Sequence, residues 1–427
     1  MKEDEDYRPV TYRELFSNRE FRSLYFARLV SLFGDWFNML AILALLRSMG
    51  GNSAGDFGWI LILKTLPQVS VAPIAGVIAD RFSRKSIMIW SNGIRALIVL
   101  GMLFLVRFPS IPVLYVLVIM QSAAASFYEP ARSAMLPDVV SVNELTAANA
   151  VGAATWSAML TLGSAAGGVF TAYLGWQPAL WVDIASYLIA IVLLWRLREP
   201  DWEKKQTADH TSLLDWLGWL DIKEGIVYVW QRPRVLSLML VKSGWCLAGA
   251  ITLILTLLGE QKYVFASNAV LGVTILYVAR GIGTGFGPFL SRWLSDSEPA
   301  AMEKAILWGF LCGACFYFLL PFAPNIWIAS LIIICAHLGG STIWVFSTVR
   351  LQQILPSIVR GRVFAAQQAS FTVMISLSTF VYGWIFDQKW LTLRQLVFCI
   401  GGTLLIPVVL WALRGWRYGW AQTSEPV

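Results

Sequence analysis

The stretch Gly76-Val77-Ile78-Ala79-Asp80-Arg81-Phe82-Ser83-Arg84-Lys85 decides how the chain is read. It gathers Asp80, Arg81, Arg84 and Lys85 between two long apolar runs. Upstream, residues 57–79 carry Lys64 as their one charge, and downstream, residues 86–106 carry Arg95 alone. Each run reaches the ~20 residues that a helix needs to cross the hydrocarbon layer of a bilayer. The polar segment therefore reads as a turn between two membrane-crossing helices, kept in water by charges that lipid accepts only at high cost.

Working outward, twelve such segments are predicted: 21–46, 57–79, 86–106, 111–127, 147–174, 178–197, 235–258, 268–290, 301–323, 326–347, 363–386 and 393–413. The composition agrees. Hydrophobic residues make up 57% of the 427 and charged residues 14%, against about 25% charged in an ordinary globular domain, too few to clothe a water-facing surface. The expected organisation is a cytoplasmic segment 1–20, a six-helix bundle 21–197, a central loop 198–234, a second bundle 235–413 and a tail 414–427. Within the loop, 213–230 is amphipathic, rich in Trp and Leu, and predicts a helix lying at the membrane surface. The first 22 residues are polar and mixed in charge, unlike a signal peptide.

Of the 33 Lys and Arg, only Arg47, Arg107, Lys262, Lys389 and Arg394 fall in loops on the side opposite the N-terminus. That bias predicts both termini and the central loop in the cytoplasm, hence a multi-pass protein of a bacterial inner membrane. The +7 net charge lies in short loops beside apolar helices, a membrane pattern and not a nucleic-acid footprint. Cys246, Cys312, Cys315, Cys335 and Cys399 all sit in apolar runs, so the Cys312/Cys315 pair reads as packing. His210 and His337 fall in different compartments, and no nucleophile–His–acid set, metal cluster or dinucleotide loop is found. Neither an enzyme nor a bound metal is expected. Gly281, Gly283, Gly285 and Gly287 lack the strand and the Gly-Lys-Ser/Thr of a phosphate loop and read as close packing or a flexible gate point.

The chain also repeats. Leu136-Pro137-Asp138-Val139-Val140 follows the fourth segment, and Leu355-Pro356-Ser357-Ile358-Val359 follows the tenth, about half a chain later. Parallel repeats of six helices are a transporter architecture, with binding near the midplane.

The decapeptide between the second and third segments resembles the major facilitator superfamily signature G-x-L-A-D-R-x-G-R-K, with Ile78 in place of Leu and Ser83 in place of the second Gly. The run Glu129-Pro130-Ala131-Arg132-Ser133-Ala134-Met135-Leu136-Pro137, with Glu144-Leu145-Thr146-Ala147-Ala148-Asn149 after it, is similar to the branch holding bacterial siderophore exporters and macrolide efflux pumps. The resemblance implies an all-α membrane fold of twelve helices in two pseudo-symmetric bundles. It also implies a conformational latch of Gly76, Asp80, Arg81, Arg84 and Lys85 against the start of the eleventh helix, Arg360-Gly361-Arg362-Val363, which makes Arg362 its counterpart. The fifth segment departs from the antiporter pattern G-x-x-x-G-P-x-x-G-G: Gly163, Gly167 and Gly168 are present, while Met159 and Ser164 replace the first Gly and the Pro.

Residues three or four apart share a helix face, and several segments carry polar stripes. They are Ser31, Asp35 and Asn38; Lys242, Trp245, Gly249, Thr252 and Thr256; His337, Ser341, Trp344 and Thr348; Tyr277, Arg280 and Thr284; and, more weakly, Gln121 in the fourth segment. The expected substrate cavity is therefore lined by Ser31, Asn38, Gln121, Lys242, Trp245, Thr252, Tyr277, Arg280, Ser341 and Trp344. A carboxyl in a low-dielectric site can load and release protons near neutral pH, so Asp35 is the first candidate for proton coupling. The alternative for Asp35 is a structural ion pair with Lys64 or Arg95. Asp183 and His337 are further candidates, a buried His bonded to a neighbour being the plainer reading. Lys242 and Arg280 suit an anionic group or a pairing with Asp35. The expectation is a secondary exporter of amphiphilic, drug- or macrolide-like small molecules, working by alternating access and driven by an ion gradient, with protons as the coupling ion. Export of a siderophore or transport of a lysophospholipid on the same fold is the alternative, and a non-transporting sensor a minor one. No cofactor is expected; the partners are the amphiphilic substrate and membrane lipid, and the chain is expected to act as a monomer.

Overall fold

The computed structural model describes residues 11–51, 53–198, 227–294 and 299–420. The predicted surface helix 213–230 lies, apart from its last four residues, outside them. The described residues are almost entirely helical. The order is α1 (Tyr12–Ser17), α2 (Arg19–Ser48), α3 (Ala54–Arg81), α4 (Arg84–Leu103), α5 (Ile111–Val139), α6 (Val142–Leu174), α7 (Trp176–Trp195), α8 (Pro233–Cys246), α9 (Ile251–Gln261), α10 (Ala269–Leu294), α11 (Pro299–Leu319), α12 (Ile326–Ile354), α13 (Ser357–Asp387) and α14 (Leu393–Tyr418). Among the described residues, 11 stretches are long and apolar enough to cross a membrane, α8 and α9 together forming one of them, Pro233–Gln261. With α3, 28 residues long, the chain has the twelve-helix membrane fold.

The ends of the helices follow from local chemistry. Asn18 Oδ1 accepts the N–H groups of Glu20 and Phe21 at 3.0 and 3.1 Å and starts α2. Capping boxes start α6 (Ser141 with Glu144) and α14 (Thr392 with Gln395). Between α6 and α7 a single residue, Gly175, turns the chain at φ +88°, a conformation that an L side chain resists.

Several helices outrun their predicted ends, α6 starting at Val142, α12 running to Ile354, α13 starting at Ser357 and α14 running to Tyr418, and two further differences change the reading. The fourth segment does not stop at 127 but continues as α5 to Val139, through Pro130 and Pro137. The stretch from Glu129 to Pro137, read as loop, is helical because its charges find partners beside them: Arg132 Nη2 meets Glu129 Oε1 at 2.5 Å, three residues away. The first Leu-Pro of the repeat thus lies inside a helix, whereas the second sits at a junction, Leu355 closing α12 and Pro356 preceding α13. The seventh segment is broken between Cys246 and Ile251. Ser378 Oγ splices the break, donating to the Leu247 carbonyl at 2.8 Å and accepting the Ala250 N–H at 3.2 Å.

The chain forms two compact units, one from Met1–Leu45 and Ser70–Gly218, the other from Leu46–Val69 and Trp219–Val427. The first has a core including Phe21, Leu24, Met88, Met135 and Leu194. In the second, α12 packs against both α10 and α11, and α11 against α14. Gly309 of α11 and Gly339 of α12 have no Cβ, so their backbones meet, the close approach that small residues permit in lipid.

Candidate functional site

Four helices of the first unit bring a polar cluster into its interior. Asp35 comes from α2, Arg95 from α4, Gln121 from α5, and Asp183 and Tyr187 from α7. The Asp35 carboxylate forms an ion pair with Arg95, and the Tyr187 hydroxyl donates to the same Oδ1 at 2.7 Å. Gln121 Nε2 donates to the Tyr187 oxygen at 3.3 Å. Arg95 lies over the Tyr187 ring, 4.3 Å from its centroid, and its Nη1 donates to Ser31 Oγ at 3.4 Å. Ser31 in turn donates to Asn92 Oδ1 at 3.4 Å. Asp183 is fully buried and stands within electrostatic reach of the same guanidinium. The Asp35 side chain keeps 29% of its surface exposed, Arg95 only 5%. The guanidinium is thus paired with Asp35, the more exposed of the two carboxylates in the cluster.

Gly34 makes this arrangement possible. A Cβ there would fall 2.7 Å from Ser186 Cβ and 2.8 Å from Asp183 Oδ1, so only a glycine lets α2 lie this close to α7.

The second unit holds a different set. Lys242 is buried, its ammonium 4.7 Å from the centroid of the Trp344 ring. Arg280 Nη1 donates to Thr252 Oγ1 at 2.6 Å. Among the described residues neither cation has an ion-pairing carboxylate within 4 Å. The Tyr277 and Thr256 hydroxyls lie 2.8 Å apart. His337 is buried, 3.0 Å from the Tyr317 hydroxyl and edge-on to Trp245. Trp245 does not face open space: its indole fills the hollows above Gly313 and Gly340. Ser341 donates to the Thr284 carbonyl at 2.8 Å, and Trp344 is partly exposed beside Phe371. Asn38 is fully buried in the first unit.

The family profile of the Major Facilitator Superfamily matches residues 24–379. The chain belongs to this superfamily. The uncharacterised MFS-type transporter YfiS of Bacillus subtilis is 25% identical over 94% of this chain and 95% of its own. BacE of the same organism, assigned as a candidate bacilysin exporter, is 24% identical over 83% of this chain and 86% of its own. A solved bacterial homologue of the human lysosomal transporter Spinster, in an inward-facing and unoccupied conformation, shares the fold at a TM-score of 0.70, with 14% identity over 95% of this chain and 99% of that one.

As a superfamily transporter, the chain uses two residues of its signature loop to brace the first unit. Arg84 donates to the Ala134 carbonyl at 2.8 Å and pairs with Asp138, tying α4 to the end of α5. Lys85 Nζ reaches the carbonyls of Trp195 and Leu197 at 2.9 and 2.8 Å, groups that the end of α7 leaves without helical partners. The side chains of Gly76, Asp80, Arg81 and Arg362 lie outside the described residues.

Tyr187 was not legible from polar stripes on single helices, though it lies four residues after Asp183 and so shares its face. The trio Arg28, Glu129 and Arg132 was missed because Glu129 and Arg132 fall in the stretch read as loop. Arg28 Nε lies 3.3 Å from Glu129 Oε2, and the i,i+3 spacing of Glu129 and Arg132 was the available signal.

Proposed function

We propose that this transporter is a proton-coupled exporter of amphiphilic small molecules, working by alternating access in a bacterial inner membrane with both termini in the cytoplasm. The observation that carries the reading is the Asp35–Arg95 ion pair in the first unit, with Tyr187 donating to the same carboxylate. An ion pair inside a membrane protein is costly to bury and marks a proton or ion path. A proton on Asp35, the more exposed member of the pair, neutralises the carboxylate and releases its hold on Arg95 and Tyr187. Proton binding and the packing of α2 against α4 and α7 are thereby linked.

Everted vesicles test the reading, with ethidium and erythromycin as probes. Uptake that collapses with the proton gradient is expected, and Asp35→Asn is expected to abolish gradient-driven uptake while the protein still inserts. Uptake indifferent to the gradient excludes antiport.

A second reading is favoured by Lys242 and Arg280, two cations with no ion-paired carboxylate among the described residues. They suit an anionic cargo such as a carboxylate-bearing siderophore or a lysophospholipid. Siderophore secretion impaired in a deletion strain, with drug tolerance unchanged, selects this cargo over the first.

A further inference from the structure

Away from the Asp35 cluster, the first unit contains a cavity of about 240 Å³ between α2, α5 and α6. Its polar wall is built from the trio that the proposed coupling does not use. Arg132 donates through Nε and Nη2 to Glu129 Oε1 at 3.0 and 2.5 Å, and Arg28 Nε lies 3.3 Å from Glu129 Oε2. Two guanidiniums share one carboxylate, so this wall carries one net positive charge. The Glu129 side chain is 46% exposed, against 25% for Arg28 and 20% for Arg132, so the acid is the member with most open surface, although its Oε2 is buried. Tyr25 and Thr155 close the polar side with hydroxyls 2.9 Å apart. The remaining wall is apolar, with Leu24, Leu32 and the half-exposed Trp156. At Gly152, also on the wall, an added Cβ would meet nothing within 4 Å.

We propose that this cavity binds the anionic head of an amphiphile, a carboxylate or phosphate monoester on an apolar tail. The head takes the place of the Glu129 carboxylate between Arg28 and Arg132. Three features carry the assignment. A guanidinium presents paired donors that match the two oxygens of a carboxylate or phosphate. The native counter-ion is the most exposed of the three side chains, with its Oε2 buried against Arg28. The volume equals about eight waters at ~30 Å³ each, room for a head and the first methylenes of a tail that then runs along Leu24, Leu32 and Trp156. A cationic or neutral head in that place would leave both guanidiniums uncompensated and is not accepted.

The test is equilibrium binding of radiolabelled dodecyl phosphate to the purified full-length chain in phosphatidylcholine nanodiscs. Saturable binding is expected, displaced by dodecanoate and not by dodecyltrimethylammonium. Arg28→Gln and Arg132→Gln are each expected to weaken it at least tenfold. Glu129→Gln, which removes the competing charge, is expected to tighten it several-fold, a gain that misfolding does not produce. Gly152→Phe, which fills the cavity, is expected to abolish it. Adding phosphatidylglycerol to the nanodiscs separates two sources of the head: competition identifies a bilayer lipid as the occupant, and unchanged binding identifies a free amphiphile. Binding that ignores head charge, that is unchanged or weakened in Glu129→Gln, or that persists in Gly152→Phe overturns the proposal. Because the readout is binding and not transport, it stands or falls independently of proton coupling at Asp35.

Discussion

The variant Glu303→Gln is expected to destabilise the second unit by about 3 kcal/mol. Glu303 of α11 is 1% exposed and lies between two guanidiniums that are themselves sealed, Arg350 of α12 at 8% and Arg414 of α14 at 9%. Arg414 Nη1 meets Oε2 at 2.7 Å, and Arg350 Nη2 meets Oε1 at 3.4 Å. Replacing the carboxylate by an amide of equal size leaves two buried positive charges with no negative one between them. Breaking a buried pair from one side costs about 3–5 kcal/mol. The lower end applies here because each arginine keeps a second partner: Arg414 Nε donates to Ser237 Oγ at 2.9 Å and Arg350 to Gln353 Oε1 at 2.7 Å. About 3 kcal/mol is a factor of about a hundred in the unfolding equilibrium. Unfolding followed by tryptophan fluorescence in mixed micelles, across a denaturing-detergent titration, reads it. The control is the double variant Glu303→Gln/Arg414→Gln, which removes one of the stranded charges and is expected to be more stable than the single variant despite carrying one more substitution. A single variant within about 0.5 kcal/mol of the parent, or a double variant no more stable than the single, refutes the reasoning, since surface-like screening would then be at work.

Three further outcomes are expected. Gly34→Ala places a Cβ 2.7 Å from Ser186 Cβ, forcing α2 from α7; proton-driven transport falls sharply, and Ser186→Gly restores part of it in the same vesicle assay. Tyr187→Phe removes the 2.7 Å bond to Asp35, a hydrogen bond to a charged group worth about 1.5–3 kcal/mol, and lowers the gradient-driven rate while leaving membrane insertion unchanged; an unaltered rate excludes Tyr187 from coupling. Asp387→Asn weakens the cap on α3, where Oδ1 and Oδ2 accept the Ala54 and Gly55 N–H groups at 2.8 and 2.5 Å, by about 1 kcal/mol, and hydrogen exchange in the first turn of α3 rises about fivefold.

The membrane fold was legible in the sequence because lipid leaves the backbone so few choices: long apolar runs had to be helices, and charged turns marked their ends. Pairing was less legible. Asp35 had Lys64 and Arg95 as possible partners, and spacing along one helix cannot decide between partners on two others. The break at Leu247–Ala250 was invisible because Gly249 lies in an otherwise unbroken apolar run, and the residue that repairs it, Ser378, is more than a hundred positions away. Glu129 and Arg132 show the reverse failure. A charged pair beside a proline looks like a loop to any hydropathy argument, yet the two charges compensate each other and the helix runs on.

The boundary between the compact units falls inside α3, between Val69 and Ser70. The end of α2 and the first half of α3 belong to the second unit. Arg47 lies 3.6 Å from Glu260 there, Asp387 caps α3, Trp59 meets Phe380 edge-on, and the Thr65 and Ser376 hydroxyls are 3.2 Å apart. Pro67 sits two residues before the boundary. It has no N–H to give the carbonyl four residues earlier, so α3 is weakest where its allegiance changes. The contacts are individually small, about 0.2–1 kcal/mol for the partly exposed Arg47 pair and about 1 for the cap. Within the second unit the first half of α3 is thus held by several small contacts, no one of which is strong enough to fix it alone.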